Sequence, residues 1–237
     1  MIFDGERCII DVTDELLSKH HIDRYEFACR FVNGKKVLDI ACGTGYGSAL
    51  LKKAGAKEVL GIDISEEAID YAKKHFADPG VEFAVGDATN IISVPDNSIE
   101  LIVSFETIEH IRIYENYLAE MHRVLKEGGM IMISTPNKKF SSPGSVKPLN
   151  PYHFIEFHLD DFKEVLGKHF TSLTIYGQNH NSGSYKLKRI FVRLIPKKIR
   201  TLLFPRKIRD AYNKRDLTGI TETDFINCDY FIALCKK

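Results

Sequence analysis

The feature that most constrains this chain is an apolar run that ends in a glycine turn: Val37-Leu38-Asp39-Ile40-Ala41-Cys42-Gly43-Thr44-Gly45-Tyr46-Gly47. Glycines at alternate positions release the backbone from the extended state, because glycine alone takes positive φ without steric cost. The pattern then turns helical over Gly47–Ala54, and the alternation repeats along the chain. Candidate strands are Lys36–Ala41, Glu58–Asp63, Glu82–Gly86, Ile99–Ser104, Met130–Ser134, Ser172–Tyr176 and Tyr230–Cys235. Candidate helices are Arg24–Val32, Gly47–Ala54, Glu66–His75, Glu106–Ile111 and Tyr114–Lys126. Buried strands alternating with helices predict right-handed crossovers and a mostly parallel sheet with helices on both faces. Such a sheet binds ligands beyond the carboxyl ends of its strands, where the glycine turn lies.

Asp63 ends the second strand, 20 residues after Gly43. A carboxylate at that place accepts hydrogen bonds from ribose hydroxyls. A dinucleotide fingerprint requires Gly or Ala where this chain has Ser48. Asp39 puts a carboxylate inside the turn, expected to face the ligand; it would repel a pyrophosphate and suit a cationic amino-acid group. The expected ligand is therefore a nucleoside carrying positive charge.

Charge is unevenly spread. Between Lys186 and Arg215 twelve Lys/Arg meet one acid, so that stretch carries +11 and leaves −10 for the rest of a chain of net charge +1. Within it, residues 185–210 interleave bulky apolar side chains with the basic ones, and Pro196 and Pro205 divide it into two short helices. It reads as a helical lid whose charge serves an anionic acceptor; peripheral contact with the inner face of a membrane, or a groove for nucleic acid, are the rival readings. Five scattered cysteines without a C-x-x-C pair argue against a disulfide framework or zinc knuckle. With Asp4, Glu6 and Arg7 where a signal peptide would be apolar, a cytoplasmic protein is expected.

The glycine turn, GIDIS (61–65), GDATNI (86–91), SFETIEHI (104–111) and RVLKEGGMIMISTPN (123–137) together resemble the class I S-adenosylmethionine-dependent methyltransferases of the type 11-like group. The resemblance covers roughly residues 30–177. It implies an α/β, Rossmann-like, seven-stranded sheet in the order 3-2-1-4-5-7-6, its last strand antiparallel and preceded by a helical insertion. Its domain plan is an N-terminal helical cap (1–35), a cofactor-binding core (36–177), a basic insertion (178–228) and a final core strand (229–237). Asp39, Ala41, Gly43 and Gly45 would meet the methionine end of S-adenosylmethionine, and Asp63 and Ile64 the ribose. Asp87 and Ala88 would flank the adenine, with Ser104 and Phe105 beside the cofactor; the spent product is S-adenosylhomocysteine. Gly5-Glu6-Arg7, Arg24-Tyr25 with Phe27-Ala28, and STPNK…NPYHFIEF resemble methyltransferases that accompany glycan assembly.

Glu106, Glu109 and His110 fall at i, i+3 and i+4, so a helix there would set them on one face at the ligand edge. With His153, at the end of the polar loop 137–152, they make a candidate Mg²⁺ or Mn²⁺ site. The set resembles the metal site of small-RNA 2′-O-methyltransferases, and ubiquinone-pathway O-methyltransferases share its Glu-x-x-Glu-His part. Without metal, His110 or His153 would act as the base, with Glu106 assisting, or His153 and Glu156 would form a plain hydrogen-bonded pair. A sugar hydroxyl needs such help because it stays protonated at neutral pH and is a weak nucleophile until it loses that proton. The expected activity is methyl transfer to a hydroxyl of a sugar or glycan precursor by a monomer or homodimer. The alternatives are a quinone, another small metabolite or RNA as acceptor, or a cofactor-binding module without turnover. His20-His21 reads as a surface pair and Cys42 as a small packing residue; Phe76, Phe83, Phe162 and Phe170 are candidate core.

Overall fold

The computed structural model describes residues 15–179, 220–221 and 227–237. In chain order these form α1 (Glu15–Ala28), β1 (Lys36–Ile40), α2 (Tyr46–Lys53), β2 (Glu58–Asp63), α3 (Glu66–Phe76), β3 (Val81–Val85) and β4 (Ile99–Phe105). There follow a single 3₁₀ turn (Ile108–His110), α4 (Tyr114–Val124), β5 (Leu125–Pro136), α5 (Lys138–Ser141), α6 (Leu159–Gly167), β6 (Ser172–Gln178), β7 (Ile220–Thr221) and β8 (Tyr230–Lys236). The strands make one sheet, ordered β3-β2-β1-β4-β5-β8-β6-β7. Setting aside the two-residue β7 at the edge, the order is the expected 3-2-1-4-5-7-6. β1 to β5 pair in parallel, and β8 runs antiparallel to both β5 and β6. Most of the 178–228 insertion, its basic run 185–210, and Gly5-Glu6-Arg7 lie outside the described residues. No helix among the described residues is long and apolar enough to cross a membrane.

Period-two side-chain alternation gives the sheet two cores. Leu38 and Ile40, Ile131 and Ile133, and Phe231, Ala233 and Cys235 pack with Tyr117, Leu118 and Met121 of α4 and Phe162 and Leu166 of α6. Val37, Met132 and Ile232 pack on the other side with Tyr25, Phe27 and Ala28 of α1 and Leu51 of α2. Ile99 and Leu101 fall in different cores because the β4–β5 register shifts between them. Each fully buried Leu, Ile or Phe contributes about 1.5–3 kcal/mol. At α3 the Ser65 side chain accepts from Ala68 N–H, with Glu66 and Glu67 in the first turn and Lys73, Lys74 and His75 in the last, each complementing the helix dipole.

Most elements match expectation within a few residues. Three readings are corrected. The first helix is α1, and Cys29–Val32 beyond it is not helical. β5 extends from Leu125 to Pro136 because antiparallel β8 pairs with its later half. His20 is buried rather than a surface residue, and its carbonyl accepts from Gln178 Nε2 at 3.2 Å. Phe83, Phe162 and Phe170 are buried as expected and Phe76 partly so.

α1 sits directly against the glycine turn: a Cβ built on Gly47 would lie 2.1 Å from Cζ of the Tyr25 ring. Gly47→Ala is expected to destabilise the protein by about 1–3 kcal/mol, read as a lower Tm. Tyr25→Leu should cost less in the Gly47→Ala protein than in the unmodified one, since the obstacle is the ring.

Candidate active site

The chain reverses immediately after Ile40. Ala41, Gly43 and Gly45 take positive φ of 55°, 55° and 85°. A Cβ on Gly45 would come within 2.6 Å of the Ala72 Cβ, so both conformation and space demand glycine there. Asp63 fastens the turn from the next strand: its Oδ2 accepts Gly43 N–H at 2.8 Å and its Oδ1 accepts Ser65 N–H at 2.9 Å. Each oxygen retains a second lone pair, and the residue lines a cavity of about 320 Å³ at the carboxyl ends of the strands. Ala41, Ile64, Asp87, Ala88, Glu106 and His110 line the same cavity, as do Thr107, Ile111 and Arg112, to which the sequence reading gave no individual role.

Asp39 is not presented to this cavity as expected. It has no exposure: its Oδ1 accepts Tyr25 O–H at 2.9 Å and its Oδ2 accepts Ser48 O–H at 2.6 Å. The two hydroxyls satisfy a carboxylate that would be costly to bury bare. Burial pushes Asp39 up to about 7, against the hydrogen bonds from Ser48 and Tyr25 and with some help from Asp63. Ser104 and Phe105 also stand behind the wall. Ser104 Oγ accepts from the Tyr117 hydroxyl at 2.7 Å, and the Phe105 ring lies edge-on to Tyr25 at 5.1 Å. Cys42 is buried, and burial raises its thiol far above the usual range, consistent with packing.

The helix expected over Glu106–Ile111 is instead a left-handed residue, Glu106 at φ 52°, and then a single 3₁₀ turn over Ile108–His110. Glu106, Glu109 and His110 therefore do not share a helical face. The Glu106 carboxylate accepts from Ser134 Oγ at 2.6 Å and lies 3.9 Å from Arg24 Nη1. It is absent from the compact set, which is Glu109, His110 and His153, with ligand atoms within 4.8 Å of one another. Glu109 is fully buried; Oε2 accepts from Thr135 Oγ1 at 3.1 Å, and Oε1 has no hydrogen-bond partner. Burial, then the neighbouring Glu106, pushes Glu109 well above the ordinary carboxylate range. An orphaned buried carboxylate oxygen beside two imidazoles fits a divalent cation, by charge and by donor type.

The 137–157 loop is closed at its base by Lys138 N–H donating to the Phe157 carbonyl at 3.0 Å, and is tied to Glu109 by Phe154 N–H at 2.8 Å. That closure carries His153 to His110, ring centroids 4.8 Å apart. Asn150 Oδ1 accepts Tyr152 N–H at 3.0 Å, which directs Asn150 Nδ2 at His153 Nε2, 2.9 Å away. Nε2 is then the acceptor, and Nδ1–H donates to Glu156 Oε1 at 2.7 Å. Burial pushes Glu156 up, but hydrogen bonds from Ser142, His153 and Ser141 outweigh it and hold the carboxyl below its ordinary value. A buried carboxylate fixing a histidine's tautomer suits a metal ligand or a general base equally.

Sequence reading gave Arg24 only as part of the Arg24-Tyr25 resemblance, with no place in the site. It is fully buried; Nη1 donates to Gln178 Oε1 at 2.8 Å, its Cζ lies 4.8 Å from the Tyr230 ring centroid, and Nε and Nη2 lack partners. Nothing in a single Arg within a helical stretch marks it; only the fold sets it beside Glu106.

Residues 38–133, spanning β1 to β5, match the methyltransferase domain family. Residues 38–133 form a methyltransferase domain, within the sheet order of the class I fold. A probable S-adenosylmethionine-dependent methyltransferase of Mycolicibacterium smegmatis is 33% identical over 164 residues, covering 68% of this chain and 62% of that protein. The ubiquinone biosynthesis O-methyltransferase of Aromatoleum aromaticum is 30% identical over 138 residues, 56% of this chain and 58% of that one. The chain thus spans about three fifths of the length of these curated relatives. An S-adenosylmethionine-dependent methyltransferase from Archaeoglobus fulgidus superposes with a TM-score of 0.61 at 20% identity, covering 94% of this chain and 95% of that one, a likeness of fold.

Asp39 gives the domain a pH signature. A carboxyl raised on folding from 3.8 to about 7 makes the folded state bind the extra proton, so its cost is absent below 3.8 and complete above 7. That cost is on the order of 4 kcal/mol. Stability of the ligand-free protein should therefore fall as pH rises across this window, and Asp39→Asn should remove most of the slope in denaturant titrations.

Proposed function

We propose that the chain transfers a methyl group from S-adenosylmethionine to a hydroxyl oxygen of a sugar or glycan precursor, with a divalent cation at Glu109, His110 and His153. The observation that carries this reading is the orphaned Glu109 Oε1 set among two histidines, of which His110 lines the cavity that also holds Asp63 and Asp87. Asp63 would accept from the ribose hydroxyls, with Ile64 against the nucleoside and Asp87 and Ala88 at the base. At the other end, Glu106 and Arg24 form an opposite-charge pair 3.9 Å apart, and Arg24 has donors to spare. Glu106, which lines the cavity, would accept from the ammonium of an α-amino acid group, and Arg24, buried behind it, would hold Glu106 in place.

The sulfonium methyl is already a strong electrophile, so the protein has to align it with the acceptor and keep water out. A Mg²⁺ or Mn²⁺ ion, when bound, would lower the pKa of a coordinated acceptor hydroxyl. Glu109 and the two histidines would hold it; Glu156 would fix the His153 tautomer, and Asn150 Nδ2 would have to give up its hydrogen bond to His153 Nε2 for that lone pair to be used. In metal-free turnover that lone pair would take the proton, and Glu156 would stabilise the resulting imidazolium. The methyl–sulfur bond breaks as the methyl–oxygen bond forms, and S-adenosylhomocysteine leaves. Arg112, at the outer wall of the cavity, suits an anionic acceptor such as a nucleotide sugar. A ring hydroxyl of a quinone precursor is the second reading, favoured by the likeness to a ubiquinone biosynthesis O-methyltransferase.

Radiolabelled methyl transfer to a panel of nucleotide sugars, glycans and catechols, with Mg²⁺ or Mn²⁺ and with chelator, tests both chemistry and acceptor. Label should appear on a sugar and vanish with chelator. His153→Ala should lower kcat by about 10²–10⁴, and Glu156→Gln by about 10–100-fold. Chelator-resistant transfer would remove the cation and leave His153 as base; transfer to catechols alone would move the acceptor to the second reading.

A further inference from the structure

The closed loop that delivers His153 also carries most of the large apolar side chains exposed on the described surface. Val146 is 90% exposed and Leu149 63%, and Phe140, Tyr152 and Phe154 are each about half exposed. Water does not favour such a concentration on one loop, and contiguous exposed apolar surface marks an interaction site. The charge on the same segment has one sign. From Gly128 to Ile155 there is no acidic residue, while Lys138, Lys139 and Lys147 supply +3.

The two kinds of side chain are interleaved. Lys139 Nζ lies 5.4 Å from the Phe140 ring centroid, and Arg112, just outside the loop, places its guanidinium 4.6 Å from that of Phe154. Basic groups flanking exposed aliphatic and aromatic ones complement a surface that is anionic at its face and apolar just beneath: a lipid bilayer bearing anionic headgroups. Tyrosine suits that boundary, with an apolar ring and a polar tip. The loop is also firm at its base, held by Lys138 N–H on the Phe157 carbonyl and Phe154 N–H on the Glu109 carbonyl, so inserting its tip would not require refolding.

We infer that the 137–157 loop docks the protein on anionic membranes, with Val146 and Leu149 entering the acyl boundary and Lys138, Lys139 and Lys147 meeting headgroup phosphates. The loop also carries His153, but docking does not depend on the proposed methyl transfer. It would bring the mouth beside His110 and His153 to the bilayer, because Tyr152 in the same loop offers its carbonyl to His110 Nδ1 at 3.2 Å.

The chain contains no tryptophan, so Val146→Trp in the full-length protein gives a single reporter at the loop tip. On vesicles of phosphatidylglycerol and phosphatidylcholine in about equal parts its emission should shift to the blue, and brominated acyl chains should quench it. Vesicles of phosphatidylcholine alone should give little shift. Val146→Ser with Leu149→Ser should lower the vesicle-bound fraction by at least about tenfold, while S-adenosylmethionine binding, the check on folding, stays unchanged. Protein that pellets with vesicles while the tryptophan emission stays put would overturn the inference and assign binding to another segment, such as 185–210. Protein that pellets with no vesicle would overturn it too, and would leave the loop to a protein partner.

Discussion

The whole ligand edge depends on how the carboxylates that end β1 and β2 are satisfied. Asp63 holds the glycine turn by accepting Gly43 N–H, and Asp39, below it, is closed off by the hydroxyls of Tyr25 and Ser48. These contacts come from different elements, so the turn takes its shape only when α1, α2 and β2 are all in place. The low-dielectric setting that strengthens these hydrogen bonds also makes Asp39 costly to ionise. A cationic ligand in the cavity would offset that cost.

Beyond the turn, the site is assembled from residues distant in sequence. β4 ends in a left-handed Glu106 that is drawn to Ser134 and Arg24, which leaves Glu109 alone to face the histidines. The loop after β5 returns to the same place and supplies His153, already oriented by Asn150 and Glu156. Two chemically distinct ends result. One presents acids suited to a nucleoside and an amino-acid group, and the other presents a carboxylate and two imidazoles suited to activating an oxygen.

The sheet is legible in the sequence because its causes are local: β-branched runs, helical periodicity and glycines at fixed spacing all point the same way. Asp63 is legible from its place at the end of β2, and Ile64, Asp87 and Ala88 from the family resemblance; all four line the cavity. Asp39 and Ser104 are not. A strand residue's position in sequence does not say which hydroxyl from another helix will reach it, and here Tyr25, Ser48 and Tyr117 do. Glu106 misleads because i, i+4 reasoning presumes a helix, and one positive φ breaks it. Arg24 and Thr135 stand in stretches that carry the family resemblance, but nothing local says what they touch; those contacts exist only in the fold.

The most direct test of the account is calorimetric titration of S-adenosylmethionine into the protein and into Asp63→Asn. The amide can still accept from Gly43 N–H, but it loses the charge and one acceptor oxygen offered to the ribose. The unmodified protein should bind with one site per chain, with or without chelator, and Asp63→Asn should bind about 10–100-fold more weakly. Equal affinity in the two proteins, or no binding to either, would contradict a cofactor site built on this turn.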